Sequence, residues 1–305
     1  MGLPIVYHPQ YVAAIPDDHR FPMPKFKLLY DKLLGEGIVR PDRVFEPQIA
    51  PYETLELVHN SEYIRDYCEG TLDAKAKRRI GLPWSPEVTI RTRMAVGGAI
   101  ETAKLALEHG LACNTAGGTH HAYPGYGSGF CIFNDIAVTA RYLRKHGLAD
   151  RILIVDLDVH QGDATAFIFQ NEPEVYTFSM HCGANFPSQK QASDLDVSLP
   201  VGMEDDDYLR ELGLRLPDVL AAAKPDLVIF DAGVDPHVGD RLGKLALSDG
   251  GLYRREMQVL STCLAARIPV ACVIGGGYCK NIDELVARHS LLHRAGSELY
   301  RQFRL

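Results

Sequence analysis

Four short stretches of the chain are almost continuously apolar and rich in β-branched residues: Ile152 to Val155, Val175 to Met180, Leu227 to Phe230 and Val270 to Ile274. Runs of this length without polar alternation predict strands buried on both faces. Elsewhere the apolar positions fall at helical spacing, most clearly from about Pro86 to His109, Ile132 to His146, Asp206 to Ala223, Ser248 to Ala266 and Ile282 to Ala295. Strand and helix in alternation predict an α/β fold, a central parallel sheet with helices on both faces. In such sheets ligands bind beyond the carboxyl ends of the strands, which is where chemistry is to be sought.

Composition narrows the picture. The 305 residues are 46% hydrophobic and 23% charged, enough to bury one large core. No Gly/Ser tract, Pro-rich run or charge block separates one part from another, so residues 1–305 are read as a single domain. The net charge of −7 argues against a phosphate-binding face, and no direct nucleic-acid partner is expected. Asp194, Asp196 and the run from Glu204 to Asp207 either steer cationic substrates or are solvated helix starts, and the second reading weighs more. The seven cysteines form no Cys-x-x-Cys pair, which implies a reducing cytosol and a cytoplasmic protein. No segment approaches the ~20 apolar residues of a membrane helix.

The strand at Ile152 to Val155 runs into Asp156-Leu157-Asp158-Val159-His160-Gln161-Gly162-Asp163. Alternation places Asp156, Asp158 and His160 on one side. A polar loop with a helix cap at Asp163 accounts for any one of these residues, but not for the cluster. Several carboxylates beside apolar strands are costly unless a cation compensates, and a metal is the simplest. A second buried strand ends in Asp231-Ala232-Gly233-Val234-Asp235. With Asp235 turned back over the sheet, Asp158, His160 and Asp235 supply three ligands and leave one tetrahedral position open, the catalytic pattern for zinc. Two carboxylate ligands acidify bound water less than imidazoles do, so a nearby base is required.

The tandem His120-His121 sits in a glycine-rich loop, with Asp156 and Asp163 available to take their Nδ1 protons. Such pairing sets the tautomer and raises basicity, as a general base near neutral pH requires. Ile274-Gly275-Gly276-Gly277-Tyr278 follows another buried strand, and Tyr278 is either packing or a donor to a developing oxyanion. The glycines lack the spacing of a dinucleotide loop.

Gly-Gly-Thr-His-His, Gly-Ser-Gly-Phe-Cys, Asp-Leu-Asp-Val-His-Gln-Gly-Asp, Asp-Ala-Gly-Val-Asp and Gly-Gly-Gly-Tyr occur here in one order, and that order resembles the histone deacetylase family over nearly the whole chain. Gln161 and Gly239-Asp240-Arg241-Leu242-Gly243 resemble its class IV branch most. The resemblance implies the arginase/deacetylase fold and a zinc-dependent amidohydrolase that removes acetyl or longer fatty-acyl groups from lysine side chains of a peptide or protein. It implies zinc on Asp158, His160 and Asp235, His121 as general base, and His120 as its electrostatic partner. Asp156 then stands behind His120 and Asp163 behind His121, and Tyr278 polarises the acyl carbonyl. Gly129, Phe130 and Phe186 are the implied tunnel walls, and Asp156, Asp158, His160, Ser179 and Met180 the implied site of a structural monovalent cation, typically K+. Class IV resemblance also implies a preference for long acyl chains, with candidate apolar walls between Phe21 and Phe26 and at Cys131.

Three rivals remain. A dimanganese ureohydrolase requires a further carboxylate where Gly162 stands. An acetylpolyamine amidohydrolase requires an acidic gatekeeper where Leu242 stands. A catalytically silent acyl-lysine binding module predicts loss of Tyr278 or of a ligand, and neither is lost.

Overall fold

The computed structural model describes residues 2–305. Its centre is one eight-stranded sheet, parallel throughout, formed in chain order by β1 (Ile5–Val6), β2 (Val44–Phe45), β3 (Leu111–Asn114), β4 (Ile152–Asp156), β5 (Val175–Cys182), β6 (Leu195–Leu199), β7 (Leu227–Asp231) and β8 (Val270–Val273). The spatial order is β2-β1-β3-β8-β7-β4-β5-β6. Around it run α1 (Lys25–Gly35), α2 (Tyr52–Leu55), α3 (Ser61–Glu69), α4 (Ala74–Ile80), α5 (Pro86–His109), α6 (Asp135–Lys145), α7 (Asp163–Phe169), α8 (Asp205–Ala223), α9 (Asp249–Ala265) and α10 (Ile282–Gln302). This is the predicted α/β architecture. The four strands read as apolar runs are β4, β5, β7 and β8, and every residue of β4, β7 and β8 is buried.

Local chemistry sets the helix ends. α5 starts where the Ser85 side chain caps Val88 N–H and Pro86 fills the first turn, and it stops at Gly110 in the left-handed conformation. α6 begins at Asp135 rather than Ile132, because the Asn134 side chain accepts from Ala137 N–H and caps it there. The acidic run from Glu204 leads into the first turn of α8, where negative charge is favourable. α10 runs on to Gln302, beyond the predicted end at Ala295, burying Leu299 and Tyr300 against the core. Four strands in the middle of the sheet, β3, β8, β7 and β4, stand side by side, and the loops beyond their carboxyl ends converge.

Candidate active site

The loops after β4 and β7 meet at Asp158, His160 and Asp235. His160 Nδ1 lies 2.9 Å from Asp158 Oδ1 and 3.1 Å from Asp235 Oδ2, and one ligand atom from each residue falls within 4.8 Å of the others. Backbone donors hold the remaining carboxylate oxygens: Gly276 N–H donates to Asp158 Oδ2 at 2.8 Å and Val159 N–H to Asp235 Oδ1 at 2.9 Å. A side chain at Gly276 would collide with both carboxylates, so the β8 loop approaches this closely only as glycine. Asp235 Oδ2 is buried, and His160 Nδ1 is the polar group that faces it. Burial and the charge of Asp158 push the Asp235 carboxyl up to about 7. His160 is buried too, but its bonds to Asp158 and Asp235 outweigh that and raise it to about 10. The cluster thus favours positive charge at its centre, and two carboxylates with one imidazole are a donor set that fits a catalytic zinc.

After β3 the chain turns through Gly117 and Gly118, both at φ 95°, with no room for a side chain at Gly118 against the backbone of Gly275. Asp135 fastens this loop by accepting from Gly118 N–H at 3.1 Å, Thr119 N–H at 2.8 Å and Thr119 Oγ1 at 2.6 Å. The loop delivers two buried histidines. His120 Nδ1 lies 2.8 Å from Asp156 Oδ2, His121 Nδ1 lies 2.6 Å from Asp163 Oδ1, and the two Nε2 atoms are 3.1 Å apart. Tyr123 Oη donates to the other Asp163 oxygen at 3.0 Å. Burial disfavours the charged form of His120, yet the carboxylates of Asp156 and Asp158 outweigh it and its pKa rises well above the usual value. For His121 burial wins, reinforced by His120, and its pKa falls to about 4 despite Asp163. Neutral His121 with its Nδ1 proton on Asp163 carries its electron pair on Nε2, where it faces His120 Nε2. Asp163 is the first residue of α7 and Gly162 its N-cap, so the Asp163 side chain is left for His121.

Above these groups opens a cavity of about 530 Å³, lined by Gly129, Phe130, Phe186, Leu242, Tyr278 and His121, among others. Phe130 adopts φ 67°, a left-handed conformation held by its N–H on Ile80 O at 2.7 Å, and its ring packs 5.7 Å from that of Tyr278. Phe186, 46% exposed, stands edge-on to His121 with ring centroids 4.9 Å apart. Asp240 joins the Tyr278 and Leu242 loops by accepting from Tyr278 N–H at 2.6 Å and Leu242 N–H at 2.8 Å. A second, much smaller cavity of about 30 Å³ is lined by Phe21, Phe26 and Cys131 together with Lys25, Arg91 and Asp158. On the sheet side, Asp156 and Ser179 are register partners in adjacent strands, with Met180 next along β5.

All the sequence-predicted site residues therefore lie at one end of the sheet. Several neighbours were not anticipated. Buried Lys25 donates to Gly275 O at 3.2 Å and meets His289 Nε2 at 3.2 Å. Arg255 of α9, fully buried, donates to Leu157 O at 3.1 Å and Gly233 O at 2.9 Å, bracing both ligand-bearing loops from below. Asp231, paired in register with Asp156, is buried with neither carboxylate oxygen hydrogen-bonded. Only Asp231 carried a signal in the sequence, as a carboxylate closing an apolar strand.

Comparison with known proteins agrees with this geometry. The profile of the "Histone deacetylase domain" family matches residues 19–292. Histone deacetylase 2 of Arabidopsis thaliana is 30% identical over 295 residues, covering 93% of this chain and 76% of its own. An uncharacterized protein of Picosynechococcus sp. (strain ATCC 27264 / PCC 7002 / PR-6) is 67% identical over 300 residues, covering 98% of this chain and all of its own. The crystal structure of a histone deacetylase homolog from Aquifex aeolicus superposes with a TM-score of 0.82 at 24% identity, over 99% of this chain and 84% of the other. The chain belongs to the histone deacetylase family and has its fold.

Proposed function

We propose that the protein is a zinc-dependent lysine deacylase, acting in a reducing compartment on the acylated side chain of a peptide or protein. The observation that carries this reading is the cluster of Asp158, His160 and Asp235 beside the His121–Asp163 pair at the foot of a cavity walled by Phe130 and Phe186. Asp158, His160 and Asp235 would hold the zinc ion, which when bound supplies Lewis acidity toward the acyl carbonyl and the attacking water. Asp156, Asp158, His160, Ser179 and Met180 would hold a monovalent cation that offsets the buried carboxylates. His121 Nε2 takes a proton from the water, Asp163 holding its ring in the required tautomer, and returns that proton to the lysine nitrogen as the amide breaks. His120, its charge sustained by Asp156, favours the electron-rich transition state. The Tyr278 hydroxyl, with no hydrogen-bond partner among the described residues, donates to the acyl oxygen as negative charge develops there.

The small second cavity favours acetyl over the long chains that class IV resemblance implies. A dry cavity of about 150 Å³ takes a molecule the size of benzene, whereas this one measures about 30 Å³ and is faced by the cations Lys25 and Arg91. An acetylpolyamine is disfavoured as well, since no carboxylate lines the main cavity to receive a distal ammonium. The test is kcat/KM for acetyl-, octanoyl- and myristoyl-lysine in one peptide, with Asp235→Asn, expected to lose zinc, as control. A monotonic fall from acetyl is expected; a rise with chain length overturns the acetyl reading, and full activity without bound metal overturns the deacylase reading.

A further inference from the structure

The mouth of the main cavity carries Arg20, Arg78, Arg79 and Lys244, all exposed, and no Asp or Glu among its lining residues. None of the four takes part in an ion pair among the described residues. Arg79 lies over the Tyr126 ring, 4.5 Å from its centroid, and Lys244 donates to Ala184 O at 2.8 Å, which leaves both charges uncompensated. Acids elsewhere in this region are otherwise engaged or placed. Asp240 is turned to backbone N–H groups, Asp17 and Asp18 line the neighbouring groove, which Arg20 also borders, and the acidic start of α8 is paired with Arg254. A chain of net charge −7 has thus gathered unpaired cations around the cavity that leads to His121, His160 and Tyr278.

We propose that the acyl-lysine this site accepts is flanked by Asp and Glu residues, an acidic polypeptide segment rather than a basic tail. The inference rests on the deacylase reading above. Charge of one sign around a cleft raises the local concentration of oppositely charged substrate and rejects like charge. The α-carboxylate of free acetyl-lysine would meet only one of the cations, whereas a segment crossing the mouth meets several.

The experiment uses the zinc-loaded enzyme and three peptides with one central acetyl-lysine, flanked by Glu, by Ser and Gly, or by Lys, with free acetyl-lysine as a fourth substrate. Expected at low salt is kcat/KM in the order acidic, neutral, basic, with about tenfold or more between the extremes, narrowing at roughly 0.5 M salt where screening is strong. In Arg20→Glu/Arg78→Glu, two side chains that make no hydrogen bond or ion pair among the described residues, the acidic-to-basic ratio collapses toward one, because two carboxylates then offset Arg79 and Lys244. Because the readout is a ratio within one protein, partial loss of folding cannot produce that collapse, and the wild-type salt dependence needs no variant. Equal rates, a basic preference in the wild type, or an unchanged ratio in the variant overturn the proposal and leave the deacylase reading standing. Turnover of free acetyl-lysine as fast as of the acidic peptide overturns the polypeptide assignment. Absence of turnover of every substrate removes the deacylase reading and this inference with it.

Discussion

Tyr278 shows how much of a residue's role depends on what its neighbours leave undone. Its backbone N–H is bound to Asp240 and its ring is packed against Phe130, so the hydroxyl is held over the site while remaining free to donate. Burial and the nearby carboxylates of Asp158 and Asp235 raise its pKa well above the usual value, which keeps the proton on the oxygen as a donor requires. Loss of one oxyanion donor typically costs ~10²–10³ in kcat. Tyr278→Phe is therefore expected to lower kcat by that factor with bound zinc and KM unchanged. Steady-state kinetics with elemental analysis decide it: a rise in KM alone would make Tyr278 a substrate-binding residue instead.

At the scale of elements, legibility followed local signal. β4, β7 and β8 were readable because central parallel strands are buried on both faces, so β8 is apolar throughout and β4 and β7 are apolar up to a closing Asp, and the residues that follow them carry the candidate site. β1 and β2 span two residues each, too short for any period, and β6 is half-exposed with a mixed pattern. The candidate ligands and the His120–Asp156 and His121–Asp163 pairs were legible because titratable groups cluster densely in two motifs; Lys25 and Arg255 were not, since each bonds to backbone oxygens of a distant segment, which no local pattern marks. Arg255 shows what such a charge does. With Glu256, 2.5 Å away and equally buried, it joins α9 to the loops bearing Asp158 and Asp235. Removing one member of a buried pair strands the other, at ~3–5 kcal/mol. Arg255→Met is expected to lower stability to urea by about that much, and Arg255→Met/Glu256→Gln to recover most of it. Zinc affinity should stay reduced, ~10–100-fold, in both, because the anchors on Leu157 O and Gly233 O are still missing. Wild-type affinity in the double variant would reduce Arg255 to a stability element.

Over the whole molecule the fold concentrates negative charge where water is least available. Asp156, Asp158, Asp231 and Asp235 are all buried at the carboxyl ends of two adjacent strands, β4 and β7, with His120 and His160 among them. Such a group is tolerable when a cation offsets it and repulsive when none does, so cation binding and folding stability are linked. The large apolar core still holds the sheet together without it, and the metal-free protein is expected to remain folded but to melt earlier. A ligand at 100 times its dissociation constant adds ~2.7 kcal/mol, and for a chain of this size each kcal/mol moves the midpoint by ~2 °C. Chelation should accordingly lower the melting temperature by ~5 °C or more, with stoichiometric zinc restoring it. Asp235→Asn supplies the control, since a variant that has lost its ligand should melt at the same temperature with and without chelator. A wild-type midpoint indifferent to both chelator and zinc would mean that the carboxylate cluster is neutralised by protons alone, and the metal centre assigned to it would be wrong.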